Sequence, residues 1–133
     1  MIASIDHIVI TCRDIDATID FYTRVLGMRL ETFGEPGKPS RKALRFGDQK
    51  INLHRAGDKG ITDIYAVAPT VGAIDLCLLA AVPLDELIAH ARAAGVAVEL
   101  GPVKRTGARW PIRSIYLRDP DNNLIEVAEP WRD

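Results

Sequence analysis

The sequence predicts an α+β fold made of two tandem β-α-β-β-β modules. Three observations predict it: the order strand, helix, strand, strand, strand in residues 1–54, the return of that order in residues 73–133, and a constant spacing between matching residues. Gly27 and Gly95, which each follow a predicted helix, are 68 residues apart, and so are Glu31 and Glu99. Because 133 residues is the length of one ordinary domain, we expect a single domain across the chain.

Module one, residues 1–54, begins with a predicted strand over Ser4–Thr11, where β-branched side chains are frequent. Asp14 and Asp16 are candidate N-caps for a helix over Ala17–Leu26, and Gly27 ends that helix at the C′ position. A loop rich in glycine and proline and a short Gly-Asp-Gln turn separate the three remaining strands. These strands are predicted over Met28–Phe33, Lys42–Phe46 and Lys50–His54.

A connector over residues 55–72, rich in glycine and small side chains, separates the two modules. Module two, residues 73–133, starts with a predicted strand over Ala73–Ala80. Pro83 marks the beginning of a helix that Gly95 ends. The other strands are predicted over Val96–Leu100, Arg113–Arg118 and Asn123–Ala128, which makes residues 101–111 a loop.

Composition and charge argue against several classes of function. The chain has 17 basic and 18 acidic residues, so its charge does not attract nucleic acid in general. Cys12 and Cys77 have neither CxxC spacing nor the density of a disulfide scaffold, and reduced thiols fit a cytoplasmic protein. Asp6 and His7 interrupt the first apolar run, so we expect no signal peptide, no transmembrane helix and no membrane partner.

His7 is the first candidate functional residue, because it interrupts an apolar strand and shares one face of it with Val9. A core histidine bonded to a neighbour has the same pattern. The repeat adds further candidates: the spacing of 68 matches His7 to Asp75, and a spacing of 74 between the last strands matches Asn52 to Glu126. Glu126 lies within an apolar strand, where a carboxylate needs a cation or a hydrogen-bond donor to offset its desolvation.

Several motifs resemble one known family. They are the duplicated β-α-β-β-β unit, Asp6-His7-Ile8, Phe21-Tyr22 followed by Val25-Leu26-Gly27, and the run from Arg118-Asp119-Pro120-Asp121 to Asn123-Leu124-Ile125-Glu126. Together they resemble the vicinal oxygen chelate superfamily. Finer features, including Asn52-Leu53-His54, Asp75-Leu76-Cys77-Leu78 and the Gly-Pro-Val…Arg-Thr-Gly loop, are similar to its glyoxalase-domain-containing subgroup. The superfamily includes glyoxalase I, extradiol dioxygenases, fosfomycin-resistance enzymes and metal-free bleomycin-binding proteins. The resemblance implies a glyoxalase-like fold in which the modules form a half-barrel cup.

The resemblance also implies a divalent metal, Zn, Ni, Mn or Fe, held at the positions of His7, Asn52, Asp75 and Glu126, of which Asp75 is shorter than the family's usual His or Glu. Asp75 is either a ligand or a carboxylate that orients a histidine, and Glu126 and Asp75 are the candidate catalytic bases. Asn52 departs from the family pattern, because an amide oxygen is a weak ligand, and we expect it to contact substrate. His54, two residues further on the same face, is either a ligand or a residue at the rim of the cup.

Lys104, Arg105 and Arg109 lie beside Trp110 in the segment 101–111. Three cations at the mouth of a cup suit an anionic substrate such as a carboxylate, a phosphate or a thiol conjugate, although a solvated surface loop has the same composition.

The function expected from these residues is that of a metal-dependent glyoxalase-like lyase or isomerase, which chelates a small oxygenated metabolite at the metal. One alternative is a metal-free small-molecule binding protein of the bleomycin-resistance type. Another is an extradiol dioxygenase, for which His7, His54 and Glu126 have the composition of a two-histidine, one-carboxylate site. We also expect a homodimer, because half-barrels leave sheet edges and apolar surface to cover.

Overall fold

A computed structural model describes residues 1–59 and 62–133, and its elements follow the predicted order, with β-α-β-β-β appearing twice. The chain divides into two compact units, residues 1–73 and 74–133. The predicted connector over residues 55–72 includes Gly60 and Ile61, which lie outside the described residues. Residues 56–59 and 62–72 form turns and bends without a helix or strand.

The first unit is a four-stranded sheet with one helix packed against one of its faces. Its strands lie in the order β1-β4-β3-β2, with β1 parallel to β4 and the other pairs antiparallel. Its elements are β1 (His7–Cys12), α1 (Ile15–Arg24), β2 (Arg29–Phe33), β3 (Arg41–Phe46) and β4 (Gln49–Arg55). Fully buried side chains form its core: Ile10, Tyr22, Val25, Leu44, Ile51 and Leu53.

Helix α1 has the caps that its flanking residues predict. The carboxylate of Asp14 accepts a hydrogen bond from the N–H of Ala17 at 3.1 Å, which makes it the N-cap. Gly27 has a φ of +71° and donates to the carbonyl of Thr23 at 3.1 Å. This bond from a left-handed glycine is the αL motif that ends many helices, and the next residue donates to the carbonyl of Tyr22.

The second unit repeats this arrangement. Its elements are β5 (Asp75–Leu79), α2 (Leu84–Ala93), β6 (Leu100–Thr106), β7 (Pro111–Arg118) and β8 (Leu124–Pro130). The strand order is β5-β8-β7-β6, with β5 parallel to β8. His7 pairs with Lys50 across β1 and β4, and Asp75 pairs with Leu124 across β5 and β8, so the predicted spacings of 68 and 74 are confirmed. Neither helix in the described part of the chain is long and apolar enough to cross a membrane.

The prediction of a strand over Val96–Leu100 followed by a loop over residues 101–111 was wrong. Strand β6 begins at Leu100 and continues to Thr106, paired with β7. The Gly-Pro pair predicts a turn in the sequence, but in the structure it lies in a β-bulge between Leu100 and Val103. Gly101 has a φ of +111°, and its backbone lies so close to the Ser114 carbonyl that a Cβ would clash.

Candidate functional site

The turn between β7 and β8 links the starts of β5 and β8. These two strands carry the acidic candidates Asp75 and Glu126. Asp119 is buried, and its carboxylate accepts hydrogen bonds from the backbone N–H groups of Asp121 and Asn123 and from the side-chain amide of Asn123. The side-chain oxygen of Asn123 in turn accepts from the N–H of Ile74 at 2.9 Å. The motif that carries the family resemblance therefore ties the start of β5, including Asp75, to the start of β8.

Glu126 lies in the middle of β8, directly opposite Cys77 on β5. The hydroxyl of Ser114 on β7 donates to Glu126 Oε2 at 2.6 Å, and the thiol of Cys77 also hydrogen-bonds to the Glu126 side chain. The donor that Glu126 was expected to need is therefore present. Sequence analysis missed Ser114, because a serine within a strand has no signal that separates a structural from a functional role.

The surroundings of Cys77 raise the pKa of its thiol. Part of the residue is exposed, yet partial burial of the thiol is the largest of the effects that raise its pKa to about 11. The charge and hydrogen bond of Glu126 and the charge of Asp75 raise this pKa further. Cys77 is therefore a protonated hydrogen-bond donor at neutral pH and not a nucleophile.

A cavity of about 590 Å³ opens over this face of the second unit, which we call the Glu126 cavity. Its volume is in the range of small-molecule sites. The cavity is lined by Cys77, Leu79, Arg105, Thr106, Gly107, Ala108, Arg109, Trp110, Ile112 and Glu126.

Two of the three cations predicted to bind an anion line the Glu126 cavity. Arg105 donates from Nε to the Tyr116 hydroxyl at 3.0 Å, and Arg109 lies over the ring of Trp110. Lys104 adjoins Arg105 on β6, so the two side chains lie on opposite faces of the strand. Lys104 does not line the cavity. Its ammonium instead lies over a tryptophan ring near the carboxyl end of the chain.

In the first unit, His7 begins β1 and remains partly exposed. Its Nδ1 lies 2.7 Å from Oδ1 of Asp6, and the hydrogen bond from His7 is the largest of the effects that lower the pKa of the Asp6 carboxyl. A proton on Nδ1 would leave the lone pair on Nε2. Carboxylates orient metal-binding histidines in this way.

Asn52 and His54 lie on the same face of β4 as Lys50, which pairs with His7. Asn52 is buried, with 5% of its surface exposed, and His54 is partly buried. His54 Nε2 lies 3.2 Å from a terminal nitrogen of Arg41, and burial, followed by the charge of Arg41, lowers the pKa of His54. Because Arg41 can only donate, Nε2 accepts, and ligation of a metal through this nitrogen requires the Arg41 contact to break.

Comparison with known proteins identifies the family. The model of the Glyoxalase/Bleomycin resistance protein/Dioxygenase superfamily matches residues 4–127. The chain belongs to this superfamily. The glyoxalase domain-containing protein RDO1 of Mycosarcoma maydis is 51% identical over 127 residues, which cover 96% of this chain and 68% of RDO1. The resemblance drawn from the motifs and the predicted α+β fold of two tandem modules are both confirmed.

Two further proteins have similar sequences and structures. Virulence protein STM3117 of Salmonella typhimurium strain LT2 is 46% identical over 97% of this chain and 85% of that protein. Its crystal structure superimposes with a TM-score of 0.90. The integron cassette protein VCH_CASS1 from the mobile metagenome of V. cholerae has a TM-score of 0.90 and 45% identity, covering 97% of this chain and 96% of that one.

The donor types fit the divalent metal that the superfamily implies. An imidazole oriented by Asp6 and the carboxylates of Asp75 and Glu126 are suitable ligands for Zn, Ni, Mn or Fe(II). Of the residues that the structure describes, no three His, Cys, Asp or Glu side chains form a cluster able to hold a metal.

Proposed function

We propose that this protein is a metal-dependent glyoxalase-like lyase or isomerase that acts on a small oxygenated metabolite with an anionic group. The observation that carries the proposal is the position of Glu126. Its carboxylate lines a cavity of small-molecule size together with Arg105 and Arg109. A base and two cations thus face one cavity, which is the combination that proton transfer on a bound anion needs.

The two arginines supply the binding step. Neither Arg105 nor Arg109 has a carboxylate within 4.0 Å among the described residues, and Glu126 is the one acidic side chain among those lining the cavity. A guanidinium binds a carboxylate or phosphate through paired hydrogen bonds. The substrate anion would therefore bind at the arginines and leave the rest of the molecule within reach of Glu126.

Glu126 supplies the proton-transfer step. The donors Ser114 and Cys77 hold its carboxylate in one orientation. From there it takes a proton from a substrate carbon or hydroxyl and returns it to the neighbouring carbon, a role that contributes about 10²- to 10⁴-fold in rate. The Cys77 thiol keeps its own proton, since its pKa is about 11.

We propose His7 and Glu126 as ligands of the divalent metal, with Asp75 as a third ligand or an alternate base, and His54 as a ligand only if it leaves Arg41. When bound, the metal polarises adjacent substrate oxygens and stabilises the charge that proton removal creates. Asp6 would keep the imidazole of His7 in the required tautomer. Asn52 stays a proposed substrate contact.

Turnover of thiol hemiacetals tests the proposal, with Zn, Ni or Mn supplied to the purified full chain. We expect turnover by the wild-type protein and a loss of at least about 100-fold in kcat in Glu126→Gln, which keeps the shape of the side chain but not its charge. Thr32→Ser, a substitution of similar size on β2, is the control and keeps full turnover. Absence of turnover with all three metals contradicts the proposed reaction.

A metal-free binding protein of the bleomycin-resistance type is the second candidate. The Glu126 cavity favours it, because Arg105 and Arg109 can bind a small anion there without a metal. Such a protein binds its ligand equally well before and after treatment with a chelator, whereas the enzyme proposed above loses affinity. The extradiol dioxygenase stays a prediction, which oxygen consumption with Fe(II) and a catechol would test.

A further inference from the structure

Two buried polar atoms in the first sheet have no hydrogen-bond partner within the described residues: Oδ1 of Asn52 and Nε of Arg41. Asn52 is 5% exposed, so bulk water does not readily reach its oxygen. Buried acceptors and donors in folded proteins are nearly always satisfied, and those without a partner in the chain bind water, an ion or a ligand. These two atoms therefore indicate a missing partner.

The two side chains share one face of adjacent strands. Asn52 on β4 pairs with Ala43 on β3, and Arg41 lies two residues before Ala43. Diagonal neighbours of this kind in an antiparallel pair are about 7–8 Å apart. Since the methyl group of Ala43 has no hydrogen-bonding capacity, a small group placed between Asn52 and Arg41 can reach both.

Two cations lie over one aromatic ring on this face of the sheet. The guanidinium carbon of Arg41 lies 4.9 Å and the ammonium of Lys50 lies 4.0 Å from the centroid of the Phe33 ring. Among the described residues neither cation has a carboxylate within 4.0 Å, whereas Arg45 on the same face pairs with Glu31 at 3.0 Å. The charge of Asp6 acts on Lys50 only from a greater distance, since its close contact is with the neighbouring histidine.

We propose that Arg41, Lys50, Asn52 and the ring of Phe33, here called the Arg41 cluster, bind a small 2-hydroxycarboxylate. The carboxylate would lie between the two cations. The adjacent hydroxyl would accept from Arg41 Nε and donate to Asn52 Oδ1, satisfying both buried atoms at once. A carbonyl cannot donate to Asn52, and an ammonium cannot accept from Arg41.

His54 is a positioning residue in this arrangement, because its Nε2 accepts from a terminal nitrogen of Arg41 and fixes the guanidinium. The inference deepens the proposed function at Asn52, which is a proposed substrate contact there, by naming the chemical class that it would bind. It uses neither Glu126 nor the Glu126 cavity, so a failure of glycolate binding is distinguishable from a failure of turnover.

The test compares glycolate with acetate, which differ by one hydroxyl, in NMR titrations of the full chain. We expect glycolate to bind about tenfold more tightly than acetate and to shift the side-chain amide of Asn52 and the ring signals of Phe33. Asn52→Leu, similar in size but without an acceptor, should reduce the ratio of affinities to about one. Arg41→Met and Lys50→Met should each weaken both ligands by about tenfold or more.

Lys42→Met is the matched control, because Lys42 adjoins Arg41 in sequence but lies on the opposite face of β3, bonded to Thr32. It should leave both affinities unchanged. Equal binding of glycolate and acetate to the wild-type protein overturns the proposal and assigns the two buried atoms to a water molecule. Shifts confined to the Glu126 cavity also overturn it. If Asn52→Leu does not fold, the ratio of glycolate to acetate affinity in the wild-type protein and the affinities of Lys50→Met test the proposal.

Discussion

At Cys77, burial and the neighbouring Glu126 carboxylate raise the pKa of the thiol, and this effect can be measured directly. The pKa of Cys77 is about 11, against an ordinary value of 9.0, so its thiolate fraction at pH 8 is about 100-fold lower than that of an ordinary cysteine. We expect alkylation by iodoacetamide at pH 8 to be slowed by about that factor and to rise until about pH 11.

The variant Glu126→Gln should speed this alkylation, since it removes a charge that opposes the thiolate. Cys77→Ser is the control that assigns the label, because the other cysteine, Cys12, is fully buried. A wild-type rate at pH 8 equal to that of a free thiol would show that neither burial nor Glu126 and Asp75 raises the pKa of Cys77.

Measurements of ligand affinity distinguish the roles of Arg105 and Arg109 from that of Lys104. Because the two arginines line the Glu126 cavity and the lysine does not, Arg105→Met and Arg109→Met should each weaken binding of an anionic hemiacetal by about 1.5–3 kcal/mol. Lys104→Met, which also removes one positive charge from β6, should leave the affinity within about twofold. Calorimetric titration measures all three. Equal effects of the three variants would mean that general charge, and not the cavity, attracts the ligand.

At the scale of elements, the turn between β7 and β8 is the best test of what holds the second sheet together. Removing the Asp119 carboxylate leaves three donors without their acceptor in a buried position. We therefore expect Asp119→Ala to lower the free energy of unfolding by about 3 kcal/mol, as measured by urea denaturation.

Asp48→Ala is the control for Asp119→Ala, because Asp48 lies in the turn between β3 and β4 and is exposed. Its effect should stay within about 0.5 kcal/mol. Losses of equal size in the two variants would mean that the Asp119 hydrogen bonds do not stabilise the unit.

Local signals account for the elements that sequence analysis predicted well. The cap at Asp14 and the glycine at position 27 give α1 ends within two residues of those predicted, because capping depends on neighbouring atoms alone. Strand β6 was missed for the opposite reason. Its pairing with β7 passes through a bulge at Gly101, and only the distant Ser114 backbone shows why a glycine is required there.

For the whole molecule, the internal repeat supplied most of what could be predicted about the candidate site. It matched His7 with Asp75 and Asn52 with Glu126, and the strand registers agree with both spacings. The partners of these residues were not predictable, because Ser114 and Arg41 reach Glu126 and His54 across neighbouring strands. The homodimer and the cytoplasmic location stay predictions, the first of which sedimentation in solution would test.

Metal stoichiometry is the most direct test of the proposed reaction. Elemental analysis and Zn titration of untagged protein should give one divalent ion per chain. His7→Ala and Glu126→Gln should each weaken binding strongly, and Asp6→Asn by about 10- to 100-fold through the orientation of His7. His90→Gln, on α2, should leave binding unchanged. If no stoichiometric ion binds, or if His7→Ala and Glu126→Gln bind it as the wild-type protein does, the account of a metal-dependent enzyme is contradicted.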